Sequence, residues 1–297
     1  MQRCIDIAVL AATPLEVAGL TAGLALADHG IVGGQQFAIG TMLGQTVLVG
    51  TLGFGKVNAS ATVAALAERF RLRQIWHVGC AGAYSGSHMN IGDVLITTEF
   101  HCGDEGILTT GEESPQSSIG IPLVTGGGAP YFDSFPVDQH LLDWARTAAP
   151  PSRYRNRAWK NVAGEGLDAL QVEAIELRDD TDNTVSSADT FRVLYGPSLT
   201  VSLVSGDAAV AQERFERFRA LAENMEGSAV AQACLRFAIP VLECRGISNL
   251  AGDRDKSHWR LELAVAHSQA VVRHLLSSWV DLPEPRPNRP SPKEPRD

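Results

Sequence analysis

Short, nearly unbroken apolar runs recur along this chain, and they constrain its fold more than any other feature. Residues 5–12, 74–80, 92–98 and 240–248 lack the polar–apolar alternation of a strand with one wet face. Such runs read as strands covered on both sides. Helical stretches separate them. Thr13-Pro14-Leu15-Glu16 opens the first, with Thr as cap, Pro at the first helical position and Glu closing a capping box. An Ala-rich helix runs from the glycine turn 53–58 to about Arg71, and a charged one covers 208–221. Another opens at Asn224 and runs to Phe237, and a last amphipathic one covers 258–279. Residues 37–52 read as a hairpin, 137–149 as a helix and 198–205 as a further strand. Strands alternating with helices imply an α/β fold, here a single three-layer domain over residues 1–280 with a mixed central β-sheet flanked by helices. The polar stretch 179–189 reads as a surface loop, and segment 100–197 has room for an insertion. The Pro- and charge-rich residues 281–297 read as a disordered tail.

Charge narrows the partners. A net charge of −9 weighs against nucleic acid or an anionic membrane and leaves a small molecule as the expected ligand. The first apolar run is broken by Thr13-Pro14 before it reaches the length of a secretory signal, and no stretch approaches the roughly 18 apolar residues of a membrane span. A cytoplasmic protein is expected. The five cysteines, Cys4, Cys80, Cys102, Cys234 and Cys244, are odd in number and form no C-x-x-C. They read as reduced thiols, not as a disulfide frame or a zinc site. With no clustered His/Cys pattern, no metal is expected, and His77 reads as a satisfied core residue.

In folds of this class ligands bind beyond the carboxyl ends of the strands. That rule directs attention to 13–16, 53–58, 79–83 and 248–255. Glu16 either completes a helix cap or serves as a general base that activates water. Gly53-Phe54-Gly55 is either a tight turn or a place where a ligand meets backbone. The run Gly79-Cys80-Ala81-Gly82-Ala83 makes room for a helix or for a flat ligand. Glu226 sits in the first turn of a helix, where the dipole favours a carboxylate, and it also suits two adjacent sugar hydroxyls. Asp207 has the position of a helix cap. Asn249 is a turn-former that also carries an acceptor and a donor side by side. Asp253, Arg254, Asp255 and Trp259 form either a solvated loop or part of a substrate lid.

Taken together, A-A-T-P-L-E-V (11–17), G-F-G-K-V-N-A (53–59), V-G-C-A-G-A-Y (78–84), G-D-V-L-I-T (92–97), V-S-G-D-A (204–208), the stretch from Glu223 to Pro240 with its M-E-G, and R-G-I-S-N (245–249) resemble the purine nucleoside phosphorylase / methylthioadenosine–adenosylhomocysteine nucleosidase superfamily. The resemblance implies a purine nucleoside substrate, no cofactor and a homo-oligomer. It implies that Glu16 activates the attacking water and that Met225 and Glu226 hold the ribose. Phe54, Gly82 and the backbone after Asp207 would lie against the base, with Trp259 in a lid. Asn249 stands where the aminopurine nucleosidases of the family have a catalytic Asp. Asn accepts from N7–H and donates to O6, so the departure implies a 6-oxopurine. The wider pattern N-M-E-G followed by R-G-I-S-N-x-x-G-x-R-D-x-x-x-W resembles a hydrolytic branch with that preference. Hydrolysis is expected over phosphorolysis because the first loop offers Glu16 and no Arg.

Overall fold

Why four separate loops meet in one place follows from strand direction. The computed structural model describes residues 2–107, 119–149, 152–156, 172–175 and 190–279. In chain order its strands are β1 (Cys4–Ile5), β2 (Ile7–Ala11), β3 (Ala25–Val32), β4 (Gln35–Met42), β5 (Gln45–Thr51), β6 (Arg71–Leu72), β7 (Ile75–Ala83), β8 (Val94–Cys102), β9 (Val124–Gly126), β10 (Ala129–Tyr131), β11 (Ser134–Pro136), β12 (Ser152–Asn156), β13 (Val172–Ile175), β14 (Thr190–Thr200), β15 (Ala222–Asn224) and β16 (Val241–Leu250). The helices are α1 (Ala18–Ala22), α2 (Lys56–Arg69), α3 (Gln139–Ala148), α4 (Ala208–Phe218), α5 (Gly227–Phe237) and α6 (Leu261–Ser277). A mixed twelve-stranded sheet runs β13-β12-β14-β8-β16-β7-β2-β5-β4-β3, with β11 joined to β8 and β15 bridging β14 and β7. Neighbours along β5-β2-β7-β16 are parallel, so their carboxyl ends share one edge of the sheet.

The apolar runs behave as their composition demands. Every residue of β2 is buried, as are Ile75, Trp76 and Val78 of β7 and nine of the ten residues of β16. Helices flank the sheet: α6 lies along β16 and β7 with α1 beside it, and α2 packs against α5. Trp76 stacks on Trp144 of α3 with ring centroids 5.7 Å apart, and Trp279 meets both edge-on. Such aromatic pairs are each worth about 1 kcal/mol beyond their buried area. Cys102, Cys234 and Cys244 are buried and all five thiols are free. No described helix is long and apolar enough to cross a membrane.

The expected hairpin is β4–β5, closed by Leu43 (φ 49°) and Gly44 (φ 82°), the two left-handed positions that a tight hairpin turn needs. Strand β3 extends it and was not foreseen, because Ala-Leu-Ala-Asp-His-Gly carries little β preference. The helix expected after Thr13 is shorter than its cap suggests: a 3-10 turn at Leu15–Val17, then the five residues of α1. The strand expected over 74–80 runs on through Gly79–Ala83 as part of β7, paired to β16 and β15. The strand expected over 198–205 ends at Thr200, and the last helix begins at Leu261. The surface loop at 179–189 and the tail at 281–297 lie outside the described residues.

Candidate active site

The edge where the parallel strands end holds a cavity of about 400 Å³. All four places marked in the sequence border it, through Thr13 and Glu16, Phe54, Cys80 to Gly82, and Ser248, Asn249, Gly252 and Arg254.

Glu16 leaves the end of β2 on the 3-10 turn and is buried. Its Oε2 accepts from the Thr13 backbone N–H and from the Thr13 hydroxyl, both at 2.9 Å. Its Oε1 accepts from the Cys80 N–H at 2.9 Å. The capping residue and the cavity carboxylate are therefore the same group, with one oxygen assigned to each duty. Gly79 explains how it fits. A Cβ there would lie 2.6 Å from both Glu16 Oε1 and Arg245 Nη1. The small residues of β7 thus make room for a carboxylate and a guanidinium, in addition to whatever occupies the cavity.

Glu226 is placed by the step from β15 into α5. The helix expected to open at Asn224 begins instead at Gly227, with Glu226 at the cap position; Asn224 ends β15, and its side chain accepts from the backbone N–H groups of Glu226 and Gly227 at 3.1 and 2.7 Å, which shapes the turn between them. Glu226 Oε1 then accepts from the Gly55 N–H at 2.9 Å, which ties the glycine turn to the cavity wall. Its Oε2 lies 3.9 Å from Arg245 Nη2.

Arg245 is fully buried, and reasoning from the sequence missed it. Its Nη2 lies 3.0 Å from Glu243 Oε2 and 3.0 Å from His77 Nε2. Glu243 also accepts from Thr97 and Ser198 hydroxyls at 2.7 and 2.8 Å, and His77 Nδ1 lies 3.0 Å from its Oε2. Burial pushes the Glu243 carboxyl up, but the Arg245 charge and the His77 hydrogen bond outweigh it and hold it at about 2. Burial, with Arg245 beside it, pushes His77 down, so the imidazole is neutral and accepts from the guanidinium. One cation therefore sits among Glu16, Glu226 and Glu243. The available signal was Glu243-x-Arg245 in a wholly apolar strand: residues two apart share a face, and charges are buried only when paired. His77 is a satisfied core residue, as expected.

Asn249 is buried at the end of β16. Its Oδ1 accepts from the Ser248 hydroxyl at 2.7 Å, and its Nδ2 donates to the Leu250 carbonyl at 2.9 Å. A carbonyl is acceptor-only, so these partners fix which way the amide points. Gly82 lies beneath it, where a Cβ would come within 3.2 Å of Nδ2.

Phe54, Met225 and Trp259 also border the cavity. Asp207 does not. Its carboxylate accepts from Ala209 and Val210 N–H groups at 2.9 Å and is spent capping α4, so the capping role is the one the structure supports. A second group not singled out from the sequence is Glu223, which accepts from Tyr84 and Ser205 hydroxyls at 3.0 and 2.7 Å and pairs with Arg214 at 3.2 Å. That knot holds the loop carrying Val204 against the cavity.

A mixed sheet whose parallel strands deliver two buried carboxylates and an oriented amide to one cavity defines an enzyme of nucleoside phosphorylase-like fold. The chain belongs to the phosphorylase superfamily, whose family profile matches residues 6–277. It is 31% identical over 225 residues to the futalosine hydrolase of Thermus thermophilus, across 76% of this chain and 79% of that protein. It is 26% identical over 268 residues to the 5'-methylthioadenosine/S-adenosylhomocysteine nucleosidase of Psychromonas ingrahamii, across 90% and 96%. The fold is shared with the nucleosidase of that kind from Colwellia psychrerythraea in complex with adenine: TM-score 0.68, 21% identity, 93% of this chain and 96% of that one. The protein is accordingly an enzyme of nucleoside N-glycosidic bond cleavage.

Proposed function

We propose that the protein hydrolyses the N-glycosidic bond of a 6-oxopurine nucleoside, with futalosine as substrate and hypoxanthine as the released base. The observation that carries this reading is the fixed amide of Asn249. With one lone pair of Oδ1 given to Ser248 and one hydrogen of Nδ2 given to Leu250, each atom keeps one position for a ligand. That leaves an acceptor beside a donor, the complement of N7–H next to O6. A 6-amino group would set donor against donor, and a buried polar mismatch of that kind is strongly rejected. The wider pattern from Asn224 to Trp259 resembles futalosine hydrolase, and the similarity to the Thermus thermophilus protein agrees with it.

In this reading the C1′–N9 bond lengthens while the sugar gains oxocarbenium character. Asn249 stabilises charge that builds on the leaving base. Glu226 accepts from ribose hydroxyls, and Glu16 orients water at C1′. Hydrolysis is favoured over phosphorolysis by what surrounds the glycine turn. Lys56, which a phosphate near 53–58 would recruit, is bound to Asp104 at 2.6 Å and Glu105 at 3.0 Å. The Gly55 N–H is already given to Glu226.

The test is base release by the purified protein without phosphate, comparing futalosine, inosine and methylthioadenosine. Hypoxanthine from futalosine supports the reading. Adenine release would overturn the role of Asn249, and turnover only with phosphate would overturn hydrolysis.

A further inference from the structure

Strand β7 carries Gly82 between two partners. On one side β15 sets Glu223 opposite it, and on the other β16 sets Asn249 opposite it. Residues paired across neighbouring strands share a face of the sheet, so the carboxylate and the amide leave on the same side with a glycine between them. All three residues border the cavity. Two strand spacings, about 10 Å, separate the outer two backbones, which leaves room for a bicyclic base between their side chains. Glu223 is buried, and its two oxygens are used unequally. Oε2 accepts from the Tyr84 hydroxyl at 3.0 Å, the Ser205 hydroxyl at 2.7 Å and Arg214 Nη1 at 3.2 Å. Burial, with Glu223 beside it, pushes the Tyr84 hydroxyl up, so it keeps its proton and donates. Among the described residues, Oε1 accepts from the Ser205 backbone N–H alone, at 2.9 Å. A carboxylate oxygen has two lone-pair positions, so Oε1 keeps one.

The edge of a 6-oxopurine presents N7–H, O6 and N1–H in that order. Asn249 meets the first two with its acceptor and its donor, and N1–H is a donor that the amide leaves unmatched. We propose that Glu223 is a second base-reading residue, whose Oε1 accepts from N1–H of the 6-oxopurine. Its placement rests on the 6-oxopurine reading of Asn249, which it extends from the 6-position of the base to the 1-position. The charged acceptor makes this a strong hydrogen bond. In adenine N1 carries a lone pair, so the same carboxylate would oppose acceptor to acceptor in a buried site. Arg214, Tyr84 and Ser205 anchor Oε2 and thereby fix where Oε1 stands. Two residues on either side of one glycine then select bases that carry both O6 and a hydrogen on N1.

The test measures calorimetric binding of hypoxanthine, 1-methylhypoxanthine and adenine to the wild-type chain and to Glu223→Gln. Arg214 only donates, so it keeps the amide oxygen of the variant on its own side, and the NH₂ group takes the place of Oε1. The variant thus turns the acceptor facing N1 into a donor at nearly constant shape. The wild type is expected to bind hypoxanthine about tenfold or more tightly than 1-methylhypoxanthine. In the variant that ratio falls toward one, and adenine, whose N1 accepts, gains on hypoxanthine. A methyl group that merely crowds the wall would weaken binding equally in both proteins. A ratio that Glu223→Gln leaves unmoved therefore overturns the proposal, as does equal binding of the two hypoxanthines by the wild type. Should the variant not fold, nuclear magnetic resonance of hypoxanthine labelled with ¹⁵N at N1 decides on the wild type alone. An N1–H proton shifted downfield and protected from exchange supports the contact, and one that exchanges as in free hypoxanthine overturns it. Tight binding of hypoxanthine over adenine with no effect at N1 sinks the role of Glu223 and leaves Asn249 standing, whereas a wild type that prefers adenine sinks both.

Discussion

Replacing Asn249 by Asp is the sharpest perturbation of the substrate reading, because it changes hydrogen-bond direction at nearly constant shape. The wild-type amide donates to the Leu250 carbonyl at 2.9 Å and accepts from Ser248 at 2.7 Å. An ionised Asp would turn the first contact into two facing acceptors, so the carboxyl must hold a proton or rotate away. Toward the substrate it loses the donor that faces O6. Loss of that hydrogen bond, with the buried acceptor left unmatched, costs about 1.5–3 kcal/mol. At 1.4 kcal/mol per tenfold, kcat/KM for a 6-oxopurine nucleoside falls about 10- to 150-fold. A 6-amino group presents a donor where O6 presented an acceptor, so the adenine counterpart gains. The assay is base release from matched hypoxanthine and adenine nucleosides, followed as a ratio of kcat/KM. A variant whose ratio stays within threefold of the wild type, while its thermal unfolding is unchanged, would refute the assignment of Asn249 to the 6-position.

Other outcomes follow from the same contacts. Glu16→Gln places an NH₂ group against either the Thr13 or the Cys80 N–H, both donors. Turnover should drop by about 10²- to 10⁴-fold while calorimetric affinity for substrate changes little, and full turnover would remove Glu16 from the chemistry. Phosphate at millimolar levels should leave the rate unchanged and yield free sugar without a sugar phosphate, as product analysis by mass would show, because Lys56 is committed to Asp104 and Glu105. Acid should destabilise the fold early. Burial lowers the pKa of both His77 and His267 below the ordinary 6.5, so below that pH the unfolded chain takes up protons that the native imidazoles refuse. Their contribution is complete above about pH 6.5 and is lost as pH falls, at up to about 1.4 kcal/mol per pH unit for each. Chemical denaturation between pH 8 and pH 5 measures that slope, and a flat profile would count against neutral buried imidazoles.

The sheet was legible because its central strands are buried on both faces, and a chain can build that only from unbroken apolar runs. The strands that escaped notice are those whose sequence is ambiguous in isolation. Strand β3 is strand because β4 offers it a ladder, and β15 is three residues held between β14 and β7. The cavity was legible by the rule that ligands bind at strand ends, and seven of the eight residues named from the sequence border it. Asp207 was the exception, since an acid before a helix satisfies the cap completely. Arg245 escaped because two of its partners, His77 of β7 and Glu226 at the step into α5, are distant in sequence, and only Glu243, two residues back on its own strand, gave a local hint.

That buried arginine also bears on how two carboxylates are held in one cavity. Glu16 and Glu226 both border the same small volume. Arg245 reaches Glu226 from below and shares with Glu16 the space that Gly79 leaves open. Its own burial is tolerable only because Glu243, His77 and the Cys80 carbonyl surround it. The Thr97 and Ser198 hydroxyls hold Glu243 in turn. The pair is therefore supported by Arg245, Glu243, His77, Thr97 and Ser198, none of which borders the cavity. Gly79→Ala should lower both turnover and stability, because its Cβ meets Glu16 Oε1 and Arg245 Nη1 at 2.6 Å, at a φ that residues with a side chain rarely adopt. A loss of kcat of tenfold or more together with a lowered unfolding midpoint would support this dependence. Unchanged kcat would show that the carboxylate does not need the position it occupies.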